Sequence, residues 1–328
     1  MTRVLVTGGA GYVGSHTVRH LLTAGHEVVI LDDLSTGHAE SVPQGIKLLR
    51  VDLRDRVQLR STLEHERFDA VMHFAARSLV GESMQKPYEY LRDNFGGALN
   101  LIEWCAEHSV RRFVLSSTAN LFGNAGEEPI AEHDEIAPGS PYGESKFLIE
   151  RALSWAERIH GLRYACLRYF NAAGALEDGS IGEHHDPETH LIPIVLQVAL
   201  GQRERVTVFG DDYPTRDGTC IRDYIHVSDL AAAHLAAVER LGDQSVELNL
   251  GNGAGFSVLE VLETARKVTG HAIPHVLGER RPGDPATLVA CSDEAKRLLG
   301  WTPKYNLEAI VSHAWAWHSK NPHGFRRA

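Results

Sequence analysis

The chain of 328 residues has only four cysteines, Cys105, Cys166, Cys220 and Cys291, and no two of them form a CxxC pair. That scatter argues against a disulfide or zinc framework and fits reduced, structural thiols. An excess of basic residues is missing as well: 33 Lys and Arg stand against 43 Asp and Glu, a net charge of -10. Non-specific attraction to nucleic acid or to an anionic membrane is therefore not expected, although local groups can still build a phosphate site. There is no apolar run long enough to span a bilayer; the longest of interest, from Leu191 to Leu200, is interrupted by Gln197. The first residues reach glycine at once, without the apolar region and cleavage site of a secretory leader. These absences predict a cytoplasmic protein with neither nucleic acid nor membrane as partner. Internal repeats, low-complexity tracts and flexible linkers are lacking too.

What is present is an ordinary globular composition, 43% hydrophobic and 23% charged, over a length that suggests two domains or one with an insertion. Short β-branched runs, "RVLVTG", "HEVVILD", "IKLLRVD", "FDAVMHFAA", "RFVLSS" and "YACLRYFN", alternate with amphipathic stretches such as Val13 to Ala24, Pro87 to His108 and Tyr142 to His160. Apolar strands separated by helices predict an α/β fold, a doubly wound parallel sheet buried on both faces. The regularity fades after about Ala175, where the polar loop "EDGSIGEHHDPETH" follows, and later stretches such as "RRPGDP" are rich in turns. The expected division is a first domain over 1–175, to which the chain returns at about 220–250, and a smaller α/β lobe from 176–219 and 251–328.

The first strand runs into "VTGGAGYVGSH", which sets Gly8, Gly11 and Gly14 at a strand-to-helix turn. Small residues there let the backbone approach a pyrophosphate, whose charge the helix N-terminus stabilises, as in a Rossmann domain. The second strand ends in "VVILDD", and Asp32 stands at the spacing of an acid that hydrogen-bonds a ribose 2′-hydroxyl. Such an acid repels the extra phosphate of NADP and favours NAD; Asp33 adds to the repulsion or caps the loop. Asp52 ends the third strand, where an adenine contact and a loop-capping role are equally open.

"SPYGESK" at 140–146 puts a tyrosine and a lysine four apart at a helix start. Ser140 suits the cap and Pro141 the first helical position. Tyr142 and Lys146 then share one face. A nearby ammonium and the positive end of the helix dipole both favour a phenolate, whose reference pKa is about 10. Alone, this pair reads as an exposed Tyr and Lys on an amphipathic helix. The dinucleotide signature upstream, and Ser116, Ser117 and Thr118 at a strand end, turn the reading toward hydride transfer, with Thr118 sharing the substrate oxygen that Tyr142 deprotonates.

With "HFAARSLVGES", "SSTANLFG", "RYFNAAGA", "LIPIVLQVALG", "VFGDDYPTRDGTCIRDYIHVSDLA" and "LNLGNGAGFSV" added, nearly the whole chain resembles the extended short-chain dehydrogenase/reductases. Within them it is most similar to enzymes that invert UDP-hexoses at C4. The resemblance implies a tightly held, reused NAD, UDP-galactose and UDP-glucose as substrates, and a homodimer. It puts the catalytic hydroxyl on Thr118, the base on Tyr142 and the activating lysine on Lys146, which would also hold the nicotinamide ribose. Around the cofactor it sets Gly8, Gly11, Tyr12, Val13, Gly14, Asp32, Asp52, Leu53, Phe74, Ala75, Ala76, Asn94, Ser116 and Tyr169. Around the nucleotide sugar it sets Asn171, His190, Leu191, Arg222, Arg281, Asp284 and Leu288. Arginine forks suit phosphate oxygens.

Three positions depart from the family pattern. Ser78 replaces a lysine of some members and receives no cofactor role. His190 stands where asparagine is frequent near the substrate. Leu288 falls where sugar-restricted members carry a bulky tyrosine, which implies room for the N-acetyl group of UDP-N-acetylhexosamines; pentose and uronate substrates stay open.

Two other functions compete. A nucleotide-sugar 4,6-dehydratase needs an Asp-Glu pair after the catalytic threonine, where this chain has Ala119 and Asn120. A non-catalytic NAD-binding scaffold would not need Thr118, Tyr142 and Lys146 together. The loop histidines His184, His185 and His190 with Asp186 suggest metal ligands, but hydride chemistry needs no metal and none is expected. Leu101, Trp104 and Phe147 read as packing residues.

Overall fold

A computed structural model describes residues 1–123, 128–242, 244–281 and 284–325; Pro282 and Gly283 of the "RRPGDP" turn lie outside the described residues. The six expected strands of the first half form as β1 (Arg3–Thr7), β2 (Glu27–Leu31), β3 (Lys47–Leu49), β4 (Ala70–His73), β5 (Arg112–Thr118) and β6 (Arg163–Tyr169). Four short strands follow: β7 (Asn171–Ala173), β8 (Val206–Phe209), β9 (Ile221–Arg222) and β10 (Tyr224–His226). Next come β11 (Val246–Leu250), β12 (Phe256–Ser257), β13 (His275–Gly278) and β14 (Thr287–Leu288).

The main sheet has seven strands in the order β11-β6-β5-β4-β1-β2-β3, and every neighbouring pair in it is parallel. The architecture is thus the doubly wound, Rossmann-like sheet expected. From β1 the chain first winds outward through β2 and β3, then returns to lay β4 on the other side of β1. The crevice at that reversal, beyond the carboxyl ends of the strands, is where such sheets bind ligands.

Parallel strands buried on both faces need apolar residues at successive positions, and β1 shows the consequence. Leu5 faces one core with Val29, Phe113, Leu115, Trp104 and Leu153, while Val4 and Val6 face the other with Val18, Ile30, Met72 and Val114. The first core is covered by α2 (Arg56–Leu63), α5 (Gly97–Glu107) and α6 (Pro141–His160), the second by α1 (Tyr12–Thr23), α8 (Val227–Arg240) and α10 (Asp293–Leu299). A third cluster joins Ile192 and Val195 of α7 (Leu191–Ala199), Val261 and Leu262 of α9 (Val258–Thr269) and Ile310 of α11 (Leu307–Lys320) to Val206 and Val208 of β8.

Pro87 to His108 departs from the single helix expected. The short helices α3 (Val80–Gln85) and α4 (Pro87–Tyr90) lead into a π-helical turn, Leu91–Gly96, before α5 begins. That wider turn carries Asn94, whose buried amide bonds outside the helix, to the backbone of Arg77 and to Ser145. Irregular turns of this kind favour positions with a task beyond packing. Among the described residues, no helix is long and apolar enough to cross a membrane.

Candidate active site

The turn after β1 depends on its glycines. Gly8 has φ +72, and a Cβ there would lie 2.4 Å from the Ala75 nitrogen; a Cβ on Gly14 would lie 2.1 Å from the Gly8 carbonyl oxygen. The missing Gly8 side chain lets the end of β1 approach the chain after β4, and the missing Gly14 side chain lets α1 approach the turn. The Gly11 N–H donates to the Gly8 oxygen at 3.1 Å, and Gly11 caps α1 without any side-chain hydrogen bond. The positive helix end is left for an anion. Tyr12 donates its hydroxyl to the Gly174 carbonyl at 2.7 Å, and Val13 packs on the second core.

Asp32 follows β2 beside this turn, accepting from the backbone N–H of Ala10 at 3.0 Å and of Leu34 at 2.9 Å. Burial pushes its pKa above the usual carboxylate value, against the pull of those two bonds. Asp33 caps its own loop through Ser35. Asp52 likewise caps its loop, accepting from the Arg54 N–H at 2.9 Å, and its carboxylate pairs with the Arg54 guanidinium. Leu53 is buried in the first core. Phe74 follows β4, donating its N–H to the Thr7 carbonyl at 2.8 Å, with Ala75 and Ala76 half-buried after it.

At the end of β5, Ser116 Oγ is hydrogen-bonded to the Tyr169 hydroxyl from the end of β6. Ser140 caps α6 as expected, accepting from the Gly143 N–H at 3.1 Å, with Pro141 in the first turn. Tyr142 and Lys146 both point inward from that helix. Lys146 is 1% exposed and donates its Nζ to the Ser116 carbonyl at 2.7 Å. Burial lowers its pKa to about 8 even though Glu150 acts in the opposite sense. Burial also raises Tyr142 above the ordinary phenol value, and a hydrogen bond with Thr118 partly counters it. Burial by itself thus favours the neutral phenol, while Thr118 as its direct partner acts in the opposite sense.

Of the residues expected around a nucleotide sugar, Asn171, Arg222 and Leu288 lie on β7, β9 and β14. Asn171 donates its side-chain amide to the Asp223 carbonyl at 2.8 Å. Its neighbour Arg222 donates to the Pro285 carbonyl at 2.9 Å and approaches Asp284 at 3.5 Å. Arg281 lies over the Phe209 ring at 4.1 Å. Leu288 pairs in register with Arg222 and packs on the buried cluster of Leu121, Phe122 and Ile130, on which Phe147 of α6 also packs. Leu191 opens α7 and packs on the third core, but His190 turns to Glu183 instead.

Leu101 and Trp104 are fully buried in the first core, as expected of packing residues. Several supporting residues escape a reading of the sequence. Ser117 donates to Glu150 at 2.6 Å, and Glu150 receives the Arg168 guanidinium at 2.6 Å in an almost fully buried pair. The spacing of Glu150, four after Lys146 on one helix face, was the available signal. Thr7 and His73 share a buried 2.7 Å hydrogen bond at the ends of β1 and β4, where burial lowers His73 to about 3.

An uncapped helix N-terminus beside a glycine cradle, and a buried carboxylate following β2, are what a dinucleotide asks of a protein, so the residues present fit NAD. The model of the NAD dependent epimerase/dehydratase family matches residues 4–251. The UDP-glucose 4-epimerase of Halalkalibacterium halodurans is 54% identical over 325 residues, 98% of this chain and 97% of that protein. A crystal structure of a UDP-glucose 4-epimerase, 52% identical, matches with a TM-score of 0.97 over 99% of this chain and 100% of that one. The UDP-glucose 4-epimerase of Bifidobacterium longum, solved with NAD+ and UDP, is 37% identical, with a TM-score of 0.93 over 99% of this chain and 100% of that one.

Proposed function

We propose, from the premise that the chain belongs to the NAD dependent epimerase/dehydratase family, that it is an NAD-dependent isomerase interconverting UDP-galactose and UDP-glucose at C4. The observation that carries this reading is the buried Tyr142 phenol, bonded to Thr118 at the end of β5 and one helical turn from Lys146, in the sheet whose β1 ends in the glycine turn.

Bound NAD supplies a reversible hydride acceptor for C4, so that the sugar passes through a transient 4-keto stage without net redox. The glycine turn at Gly8, Gly11 and Gly14 receives the pyrophosphate, Asp32 the adenosine ribose, and Tyr169 with Lys146 the nicotinamide side. Tyr142 takes the 4-hydroxyl proton and gives it back. Thr118 bonds the same oxygen and fixes the direction of transfer. Lys146 keeps positive charge beneath the phenol, and a positive charge there favours the phenolate.

Arg222 and Arg281 hold the diphosphate, with Asn171 and Asp284 beside them. Binding energy spent on the remote nucleotide leaves the hexose free to turn its other face, which inversion requires. Leu288 leaves room for an N-acetyl group, so UDP-N-acetylhexosamines fall within the range.

A 4,6-dehydratase would need an acid and a base beside Thr118. Asn120 instead donates its N–H to Thr118 Oγ1 and accepts from Ser140 Oγ, both at 3.1 Å, which supports a positioning role. The reading extends to a cytoplasmic homodimer and to the division of labour between 1–175 with 220–250 and the remaining lobe. Leu99 of α5 and Trp155 and Ile159 of α6, 45%, 58% and 66% exposed, supply an apolar surface for the partner.

Incubation with UDP-galactose and NAD separates the readings. Formation of UDP-glucose supports the epimerase, a 4-keto-6-deoxy sugar would mark a dehydratase, and an unchanged substrate would mark a scaffold.

A further inference from the structure

The polar loop between β7 and α7 brings two carboxylates and two imidazoles to one point. Glu183, His185, Glu188 and His190 each offer a ligand atom, and the four atoms lie within 4.8 Å of one another. His185 Nδ1 stands 3.3 Å from a Glu183 oxygen and 3.6 Å from a Glu188 oxygen. It lacks the alignment of a hydrogen bond, although the atom is buried. Around a tetrahedral zinc ion with bonds of roughly 2.0–2.1 Å, ligand atoms sit about 3.3 Å apart. The separations at His185 are therefore close to the edge of such a tetrahedron. His190 Nδ1 contacts the same Glu183 oxygen, a contact that opens when an ion takes the centre.

A second observation comes from another element. His318 of α11 is 8% exposed, and its Nε2 is buried without a hydrogen-bond partner. It lines a cavity of 470 Å³ together with His185 and Glu188, which provides a path by which an ion could enter. Glu183 and Glu188 are both nearly buried, and buried carboxylates are paired or coordinate metals.

We propose that Glu183, His185, Glu188 and His190 bind one divalent transition-metal ion of the zinc class. Mixed imidazole and carboxylate ligands suit zinc, whereas magnesium and calcium favour oxygen alone. The ion is a structural tie. His185 meets the Tyr12 ring edge-on at 6.5 Å, and Tyr12 opens α1 directly after the glycine-rich turn, so the site fastens the 183–190 loop to that helix start. His184, adjacent in sequence, stacks instead on His38 at 4.6 Å and takes no part.

The test is titration of tag-free, chelator-treated protein with Zn2+ by calorimetry and with Co2+ by visible absorption. One Zn2+ per chain and the intense Co2+ bands of a four-coordinate site are expected. His185→Gln and Glu188→Gln should each lower affinity by at least ~100-fold, since even residues behind the ligands are worth 10–100-fold. His38→Gln and His184→Gln should not, and circular dichroism checks that every variant folds. If the two ligand variants fail to fold, the Co2+ spectrum of the wild type decides. Weak binding scattered over exposed histidines, a pale six-coordinate Co2+ spectrum, or unchanged affinity in both ligand variants would overturn the proposal. In those cases the imidazoles balance the carboxylates as simple ion pairs.

Discussion

Lys146 and Ser116 are joined through the backbone: the Lys146 ammonium donates to the Ser116 carbonyl at 2.7 Å, while the Ser116 hydroxyl pairs with that of Tyr169. One strand end thus fixes the lysine and a second tyrosine, and two residues later it presents Thr118 to Tyr142. The spacing seen in "SPYGESK" becomes a site only because β5 supplies the other half.

If Tyr142 moves the proton, Tyr142→Phe keeps the ring and its packing but loses the transfer. General acid–base catalysis contributes roughly 10²–10⁴-fold, so kcat should fall by about that factor while UDP affinity, measured by calorimetry, stays near the wild-type value. A kcat within threefold of wild type would remove Tyr142 from the chemistry.

Lys146 gives a pH signature in the NAD-free protein. Its folded pKa of about 8 lies below the ordinary value of 10.5. The folded state therefore carries the full cost of a buried ammonium below pH 8, and that cost lifts as pH rises toward 10.5. Lys146→Met has no such group. Any advantage of Lys146→Met in Tm over wild type should shrink as pH is raised from 8 to 10, and a difference that is flat with pH contradicts the shift.

Leu288→Tyr tests the sugar range. Leu288 packs on the same small cluster as Phe147 of α6, and the larger ring takes up space there. The ratio of kcat/KM for UDP-N-acetylglucosamine to that for UDP-glucose should drop by at least tenfold, with UDP-glucose turnover little changed. Equal losses on both substrates would show that Leu288 does not select the sugar.

The Glu150 and Arg168 pair is 3% and 1% exposed. Removing one partner of a buried pair typically costs about 3–5 kcal/mol, so Glu150→Ala should lose about that much in a denaturant titration, with Ser117 also left without its acceptor. A cost below about 1 kcal/mol would mean that Glu247, at 3.1 Å from Arg168, suffices to hold the guanidinium.

What could be read from the sequence is what neighbours along the chain decide. The alternation of strands and helices, the glycine turn and the Ser140 cap each rest on a few consecutive residues, and each formed where expected. The π-helical turn at Leu91–Gly96 was not legible, because the bonds of Asn94 reach to Arg77 and Ser145, far along the chain. Nor was Arg168 as the partner of Glu150, which sits in another element. The polar loop misled through proximity: His184 looked like a companion of His185, but its ring stacks on His38. The carboxylates that meet the imidazoles are those of Glu183 and Glu188.

The central claim is that C4 is oxidised and then reduced with the same hydrogen returned to the opposite face. Conversion of C4-deuterated UDP-galactose in ordinary water, followed by NMR, tests it most directly. The account predicts UDP-glucose that retains deuterium at C4; UDP-glucose with that deuterium exchanged for solvent hydrogen would contradict it.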